Sequence, residues 1–257
     1  MLKRERRDGV EILTIDRQGF GNSISSGLTT ELLQALDELA TDSALHAVVI
    51  TGAGEKFFCT GGDVKEYRTI ETPEDLNAHF ERTRRAMDLL EALPVPVIAA
   101  VNGYALGGGA EILLCCDHRV ADEGAEIGWP QSRLGIIPAW NGIDRLVRDC
   151  GPRVASRLMT TGVRIPASEA LSLGIVDALA PPGEALDAAL AHAALLREAA
   201  PMALRFTKKV IKATGTETPE AVRALQRDGF AELWFSADHK EAEAAFAEKR
   251  APVFKGR

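Results

Sequence analysis

The chain has 257 residues, enough for one large domain or two small ones, and 46% are hydrophobic, which supports a layered core and excludes disorder as the default. Its 37 acidic residues outnumber 30 basic ones for a net charge of −7, which argues against a nucleic-acid partner, because phosphate binding needs clustered positive charge. The cysteines, Cys59, Cys115, Cys116 and Cys150, show no CxxC spacing and no companion histidines, so a reduced, metal-free protein is expected.

The N-terminus, MLKRERRDGVEILTID, is charged and runs straight into a strand-like alternation, unlike a signal or transit peptide. No apolar run approaches the roughly 20 residues of a bilayer span, so the expected location is cytoplasmic, with no membrane partner. Residues 10–16 alternate as a strand, and Ser25 or Ser26 can cap a helix whose Leu28, Leu32, Leu36 and Leu39 fall at helical spacing. Residues 47–51 and 97–101 are unbroken apolar runs that read as strands buried on both faces. Between them a helix is predicted over residues 74–93, stopped by Pro94-Val95-Pro96. The alternation continues with a helix over 107–116, a strand over 118–121 and a strand over 175–179. Beyond Pro182 the pattern is helical, with an alanine-rich helix over 185–200 and with Pro201 and Pro219 as punctuation.

Two glycine-rich segments carry chemistry. Phe57-Phe58-Cys59-Thr60-Gly61-Gly62-Asp63-Val64-Lys65-Glu66 follows the first buried strand, and its paired glycines let a bare N–H approach a ligand. Taken alone, the pair is equally well explained as a loop that needs a positive φ. Gly52-Ala53-Gly54 also follows a strand, but a dinucleotide fingerprint fails there for want of a third glycine and an adjoining helix. Asn102-Gly103-Tyr104-Ala105-Leu106-Gly107-Gly108-Gly109-Ala110-Glu111 follows the second buried strand and opens a helix, so unpaired N–H groups and the helix dipole create a site for developing negative charge. Glu111, in that helix's first turn, can stand beside the held oxygen; an isolated acidic residue there would simply compensate the dipole.

With both segments present, the chain resembles the enoyl-CoA hydratase/isomerase, or crotonase, superfamily. The resemblance extends through Asp16-Arg17, Asn22-Ser23-Ile24, Gly135-Ile136-Ile137-Pro138, Gly174-Ile175-Val176-Asp177 and Ala245-Phe246-Ala247-Glu248-Lys249-Arg250, nearly the whole chain. It implies an α/β fold, a crotonase-type spiral of ββα repeats with a helical C-terminal region. The spiral core would occupy residues 1–200 and bind acyl-CoA, and residues 201–257 would form a helical oligomerisation region building a homotrimer or hexamer. It also implies an acyl-CoA thioester substrate whose carbonyl oxygen is held by the N–H groups of Gly62 and Gly108. Gly61, Asp63, Val64 and Lys65 would line the thioester and pantetheine, Ser23 and Ile24 would meet the adenine, and Lys249 and Phe254 would touch CoA from the tail. No separate cofactor and no metal is implied, because coenzyme A enters as part of the substrate.

The sequence departs from the family at two places. Family hydratases work with two glutamates; Glu111 matches the first, but Gln131 stands at the second, and an amide orients water without exchanging a proton near neutral pH. Trp140 replaces small residues after Pro138, a rigid apolar group that either reshapes the acyl pocket or packs into the core or an interface. The leading expectation is an enoyl-CoA hydratase or isomerase acting with Glu111 alone. Decarboxylation of a malonyl-type thioester, thioester hydrolysis and a non-catalytic acyl-CoA-binding scaffold are the alternatives. GxSxG, HExxH and GxxxxGK[ST] are absent, and His118 reads as a structural histidine.

Overall fold

The computed structural model describes residues 1–68 and 70–256. Its strands are β1 (Leu2–Arg7), β2 (Val10–Ile15), β3 (Ala47–Gly52), β4 (Phe57–Cys59), β5 (Val97–Val101), β6 (Tyr104–Leu106), β7 (His118–Asp122), β8 (Glu126–Gly128), β9 (Arg164–Pro166) and β10 (Ala178–Ala180). The helices are α1 (Ser26–Ala40), α2 (Val64–Tyr67), α3 (Pro73–Ala92), α4 (Gly108–Leu113), α5 (Gly142–Thr161), α6 (Ala167–Ser172), α7 (Ala185–Leu196), α8 (Pro201–Ala213), α9 (Pro219–Trp234) and α10 (Ala237–Glu248).

The unbroken apolar runs form the middle of a six-stranded sheet ordered β1-β2-β3-β5-β7-β10. Only β1 and β2 pair antiparallel in it. Side chains alternate across such a sheet. Val48, Ile50, Val97, Ala99 and Val101 therefore join the main core, while Ala47, Val49, Ile98 and Ala100 form a second core on the opposite face. Both faces are covered, which is why these strands show no polar alternation. Against the second face α7 presents Ala185, Ala189 and Ala193, four residues apart and too small to hold the helix away. On the other side α1 packs on α3. The Ser25 side chain caps α1 by accepting from Leu28 N at 3.2 Å.

Three turns of the chain repeat one path: a long strand into the large sheet, then a three-residue strand into a second sheet. The pairs are β3 with β4, β5 with β6, and β7 with β8. The second sheet runs β4-β6-β8-β9, with β4, β6 and β8 parallel and β9 antiparallel. This is the spiral architecture expected, with helices at its C-terminal end.

Three element bounds differ from the sequence-based expectation. The strand expected at 175–179 begins only at Ala178, because Gly174 (φ +73°) turns the chain and Ile175 N donates back to Ala170 O. Ile175 and Val176 are apolar because they are buried on that turn. The helix expected over 107–116 ends at Leu113, tightened by i→i−3 bonds from Cys115 N and Cys116 N to Ile112 O and Leu113 O. The alanine-rich helix stops at Leu196.

The first tail helix is clamped to the core. Buried Lys208 on α8 donates to Val95 O at 2.8 Å and pairs with Asp117 at 2.6 Å, and Arg205 donates to Asp42 O at 3.1 Å. Farther along the tail, Phe230, Trp234, Phe235 and Phe246 are exposed. Among the described residues no helix is long and apolar enough to cross a membrane.

Candidate active site

Because β4, β6 and β8 lie side by side and parallel, their C-terminal ends deliver three successive segments to one place. Cys59 pairs with Ala105, and Leu106 with Gly128. The segments that follow are Gly61-Gly62, Gly107 to Glu111, and Trp129 to Gln131. Gly61 (φ +99°) and Gly107 (φ +56°) adopt backbone conformations that side chains disfavour. A Cβ on Gly61 would stand 2.9 Å from Gly108 N, and one on Gly109 would strike the Cys59 carbonyl, so the segments pack backbone to backbone. The N–H groups of Gly62 and Gly108 donate to no partner among the described residues. Two backbone donors thus lie on abutting turns without a partner among the described residues.

Glu111 stands in the first turn of α4 and is 1% exposed. Its Oε2 accepts from Trp140 N and Gly142 N, both at 2.9 Å, and its Oε1 accepts from Gln131 Nε2 at 3.1 Å. Burial pushes its carboxyl up to about 7, against the lowering effect of those backbone donors. Near neutral pH the group is therefore poised to take and return a proton. Gln131 is 7% exposed, and its Oε1 has no hydrogen-bond partner among the described residues. That unsatisfied acceptor belongs to the same amide that contacts Glu111.

Trp140 is buried in the main core, and its ring packs against Gly108. A Cβ on Gly108 would stand 2.5 Å from Trp140 Cη2. The loop bearing it turns at Asn141 (φ +63°), and a Cβ on Gly142 would stand 2.8 Å from Glu111 Oε2. Both loop N–H groups can thus reach one carboxylate oxygen. Buried Arg145 holds the loop from behind, donating to Trp140 O at 2.8 Å and Asn141 O at 3.2 Å, and Arg84 donates to Ala139 O at 3.1 Å. Arg145 is anchored in turn by Glu91 and Asp88, each at 2.6 Å.

On the other side of Gly62, Ile24 N donates to Gly61 O at 2.8 Å and Asp63 N to Ile24 O at 2.9 Å. The Ile24 N–H is therefore engaged within the protein. Arg17 donates to Ser23 O and pairs with Asp63 at 2.8 Å, which holds Asp63 below the usual carboxylate range. Val64 and Lys65 are exposed, and Lys65 Nζ and Arg17 lie over the Phe20 ring at 5.5 and 4.8 Å. No hydrogen bond or ion pair among the described residues joins Lys249 or Phe254 to this cluster. Lys249 ends α10 in a left-handed turn, and the segment around Phe254 is tied to Asp238, which accepts from Lys255 N and Gly256 N.

Sequence reasoning missed Arg145 and Tyr67. Arg145 bonds to partners 54 and 57 residues away, beyond any local pattern. Tyr67 closes the one-turn helix α2, and a Cβ on Gly62 would overlap its hydroxyl oxygen.

The profile described as enoyl-CoA hydratase/isomerase matches residues 5–257. A probable enoyl-CoA hydratase of Bacillus subtilis is 38% identical over 248 residues, 96% of this chain and 95% of that protein. A short-chain-enoyl-CoA hydratase of Clostridium acetobutylicum is 36% identical over 96% of this chain and 94% of its own length. The crystal structure of an enoyl-CoA hydratase from Bacillus anthracis superposes with a TM-score of 0.96 at 34% identity, covering 100% of this chain and 99% of that one.

Proposed function

From the premise that the chain belongs to the enoyl-CoA hydratase/isomerase family, we propose that its reaction runs through a thioester enolate, with Glu111 as the only carboxylate that moves protons. The protein is an enzyme with hydratase or isomerase activity on enoyl-CoA. The observation that carries the single-carboxylate reading is the contact of Gln131 Nε2 with Glu111 Oε1, an amide where a second acid would stand.

In hydration, a water held by Gln131 Oε1 gives a proton to Glu111 as its oxygen bonds to the β-carbon. The π electrons shift onto the thioester oxygen, held by the N–H groups of Gly62 and Gly108. Glu111 then returns the proton to the α-carbon, and the carbonyl re-forms. In isomerisation the same carboxylate removes an α-proton and returns it at the γ-carbon. Either sequence restores Glu111 without a second acid. The exposed Val64 and Lys65, with Gly61 and Asp63, line the thioester and pantetheine, and Ser23 with Ile24 meets the adenine through the backbone. Coenzyme A enters with the substrate, and the reading calls for no other cofactor.

Turnover of crotonyl-CoA, a 3-enoyl-CoA and methylmalonyl-CoA, by wild type and by Glu111→Ala, tests the reading. Loss of both enoyl activities in the variant supports it. Decarboxylation of methylmalonyl-CoA without enoyl turnover overturns it.

The tail suggests assembly as a trimer, alone or paired into a hexamer. Phe230, Trp234, Phe235 and Phe246 form a wet aromatic surface, and Phe246 is 88% exposed. A monomeric sedimentation profile would refute this.

A further inference from the structure

We propose that the Tyr67 hydroxyl is a third hydrogen-bond donor to the substrate's thioester oxygen, beside the N–H of Gly62. The proposal rests on the enolate reading above, and two observations joined by simple geometry lead to it. A Cβ on Gly62 would overlap the phenol oxygen. A Cβ stands about 2.5 Å from its own nitrogen, so the phenol oxygen lies within roughly 4 Å of the Gly62 nitrogen. Donors that close can converge on one acceptor, each at ordinary hydrogen-bond length. No hydrogen bond among the described residues engages the hydroxyl, although the residue is half-buried.

The ring is held from two sides, by His79 edge-on at 5.1 Å between centroids and by Phe80 at 5.0 Å. This packing fixes the position of the phenol oxygen before substrate arrives, leaving the O–H to turn toward an acceptor. Burial is the main cause that pushes the phenol above its ordinary range, and the charges of Glu66, Cys59, Asp63 and Glu111 add to it. Tyr67 therefore keeps its proton at any working pH and acts as a donor, not as a base. An O–H aimed at the carbonyl oxygen strengthens as negative charge grows there, so its effect belongs to the enolate rather than to the bound ground state.

Tyr67→Phe removes the O–H and leaves the ring packing. Two measurements read the consequence: steady-state turnover of crotonyl-CoA, and the ultraviolet enolate band of bound acetoacetyl-CoA, titrated to give its apparent acidity. A third donor predicts a kcat lower by about ten- to a hundredfold with KM within threefold, together with a weaker enolate band at a given pH. Unchanged kcat and an unchanged enolate titration overturn the proposal and leave Tyr67 a packing residue. If wild-type protein itself fails to favour the enolate of acetoacetyl-CoA, the oxyanion cradle is refuted and Tyr67 falls with it. That outcome differs from a competent wild type matched by its variant, which refutes Tyr67 alone.

Discussion

Gln131 and Glu111 meet amide nitrogen to carboxylate oxygen, with Gln131 Nε2 donating to Glu111 Oε1 over 3.1 Å in a buried setting. The amide binds the ionised form of Glu111 and offers no proton of its own. Gln131→Glu would place two carboxyl groups at that distance, where they share a proton and the pair titrates higher than Glu111 alone. The expected outcome is faster crotonyl-CoA hydration, by tenfold or more of the ~10²–10⁴ that a positioned acid–base contributes, with its low-pH limb displaced upward. Rate–pH profiles of both proteins decide it, and a variant no faster than wild type would count against a missing second acid.

The pH dependence of the wild type follows from Glu111. Burial raises its carboxyl to about 7, and it must be ionised to accept a proton. We expect kcat/KM on crotonyl-CoA to fall about tenfold per pH unit below that value and to level off above it. The same group affects stability in the opposite sense to a salt-bridged carboxylate. Unfolded, it ionises near the ordinary glutamate value of 4.5, whereas folded it stays protonated up to about 7. Its contribution therefore declines as pH rises from 4.5 to 7, by on the order of 3 kcal/mol, and is constant above. Glu111→Gln should abolish turnover and remove that decline in urea-unfolding free energies measured from pH 5 to 8.

Arg145 supports Glu111 indirectly. Its guanidinium bonds to Trp140 O and Asn141 O while pairing with Glu91 and Asp88. Arg145→Met should destabilise the fold by up to about 3 kcal/mol through the half-buried Glu91 partner, even though Arg148 and Lys212 still contact that carboxylate. The loop N–H groups on Glu111 Oε2 would loosen, and one positive charge that lowers the Glu111 carboxyl would be gone. A higher-lying acid limb and a reduced kcat at unchanged KM are expected. An unchanged pH profile would leave Arg145 a purely structural residue.

Legibility in the sequence followed the length of the signal. The runs at 47–51 and 97–101 are buried on both faces, and hydrophobicity alone exposed them. The glycine clusters showed through because close backbone approach demands residues without a Cβ, as Gly61 against Gly108 N illustrates. The second sheet was not legible: β4, β6 and β8 have three residues each, too few for any periodicity. Yet that sheet explains why Gly62, Gly108 and Gln131 belong together, since they follow equivalent strands on successive turns. Helix α5 was hidden as well, broken in pattern by Gly151 and Pro152 at its internal kink. Tyr67 and Arg145 carry no local signature, because neighbours distant in sequence give them their roles.

Gly108 and Trp140 provide the sharpest test of how packing reaches the chemistry. The Trp140 ring occupies the space of the missing Gly108 Cβ, while the Trp140 N–H holds Glu111 Oε2 at 2.9 Å. Gly108→Ala therefore forces the ring outward and pulls on the base at the same time. Overpacking of this kind costs about 1–3 kcal/mol, and we expect kcat to fall at least a hundredfold because donor and base both shift. Trp140→Ala opens a cavity instead, at about 3–5 kcal/mol. The double variant gives the added methyl room, so its destabilisation should be smaller than the sum of the two by about 1–3 kcal/mol. Denaturant unfolding of all four proteins measures that coupling; strict additivity would mean that the ring does not press on Gly108 in solution.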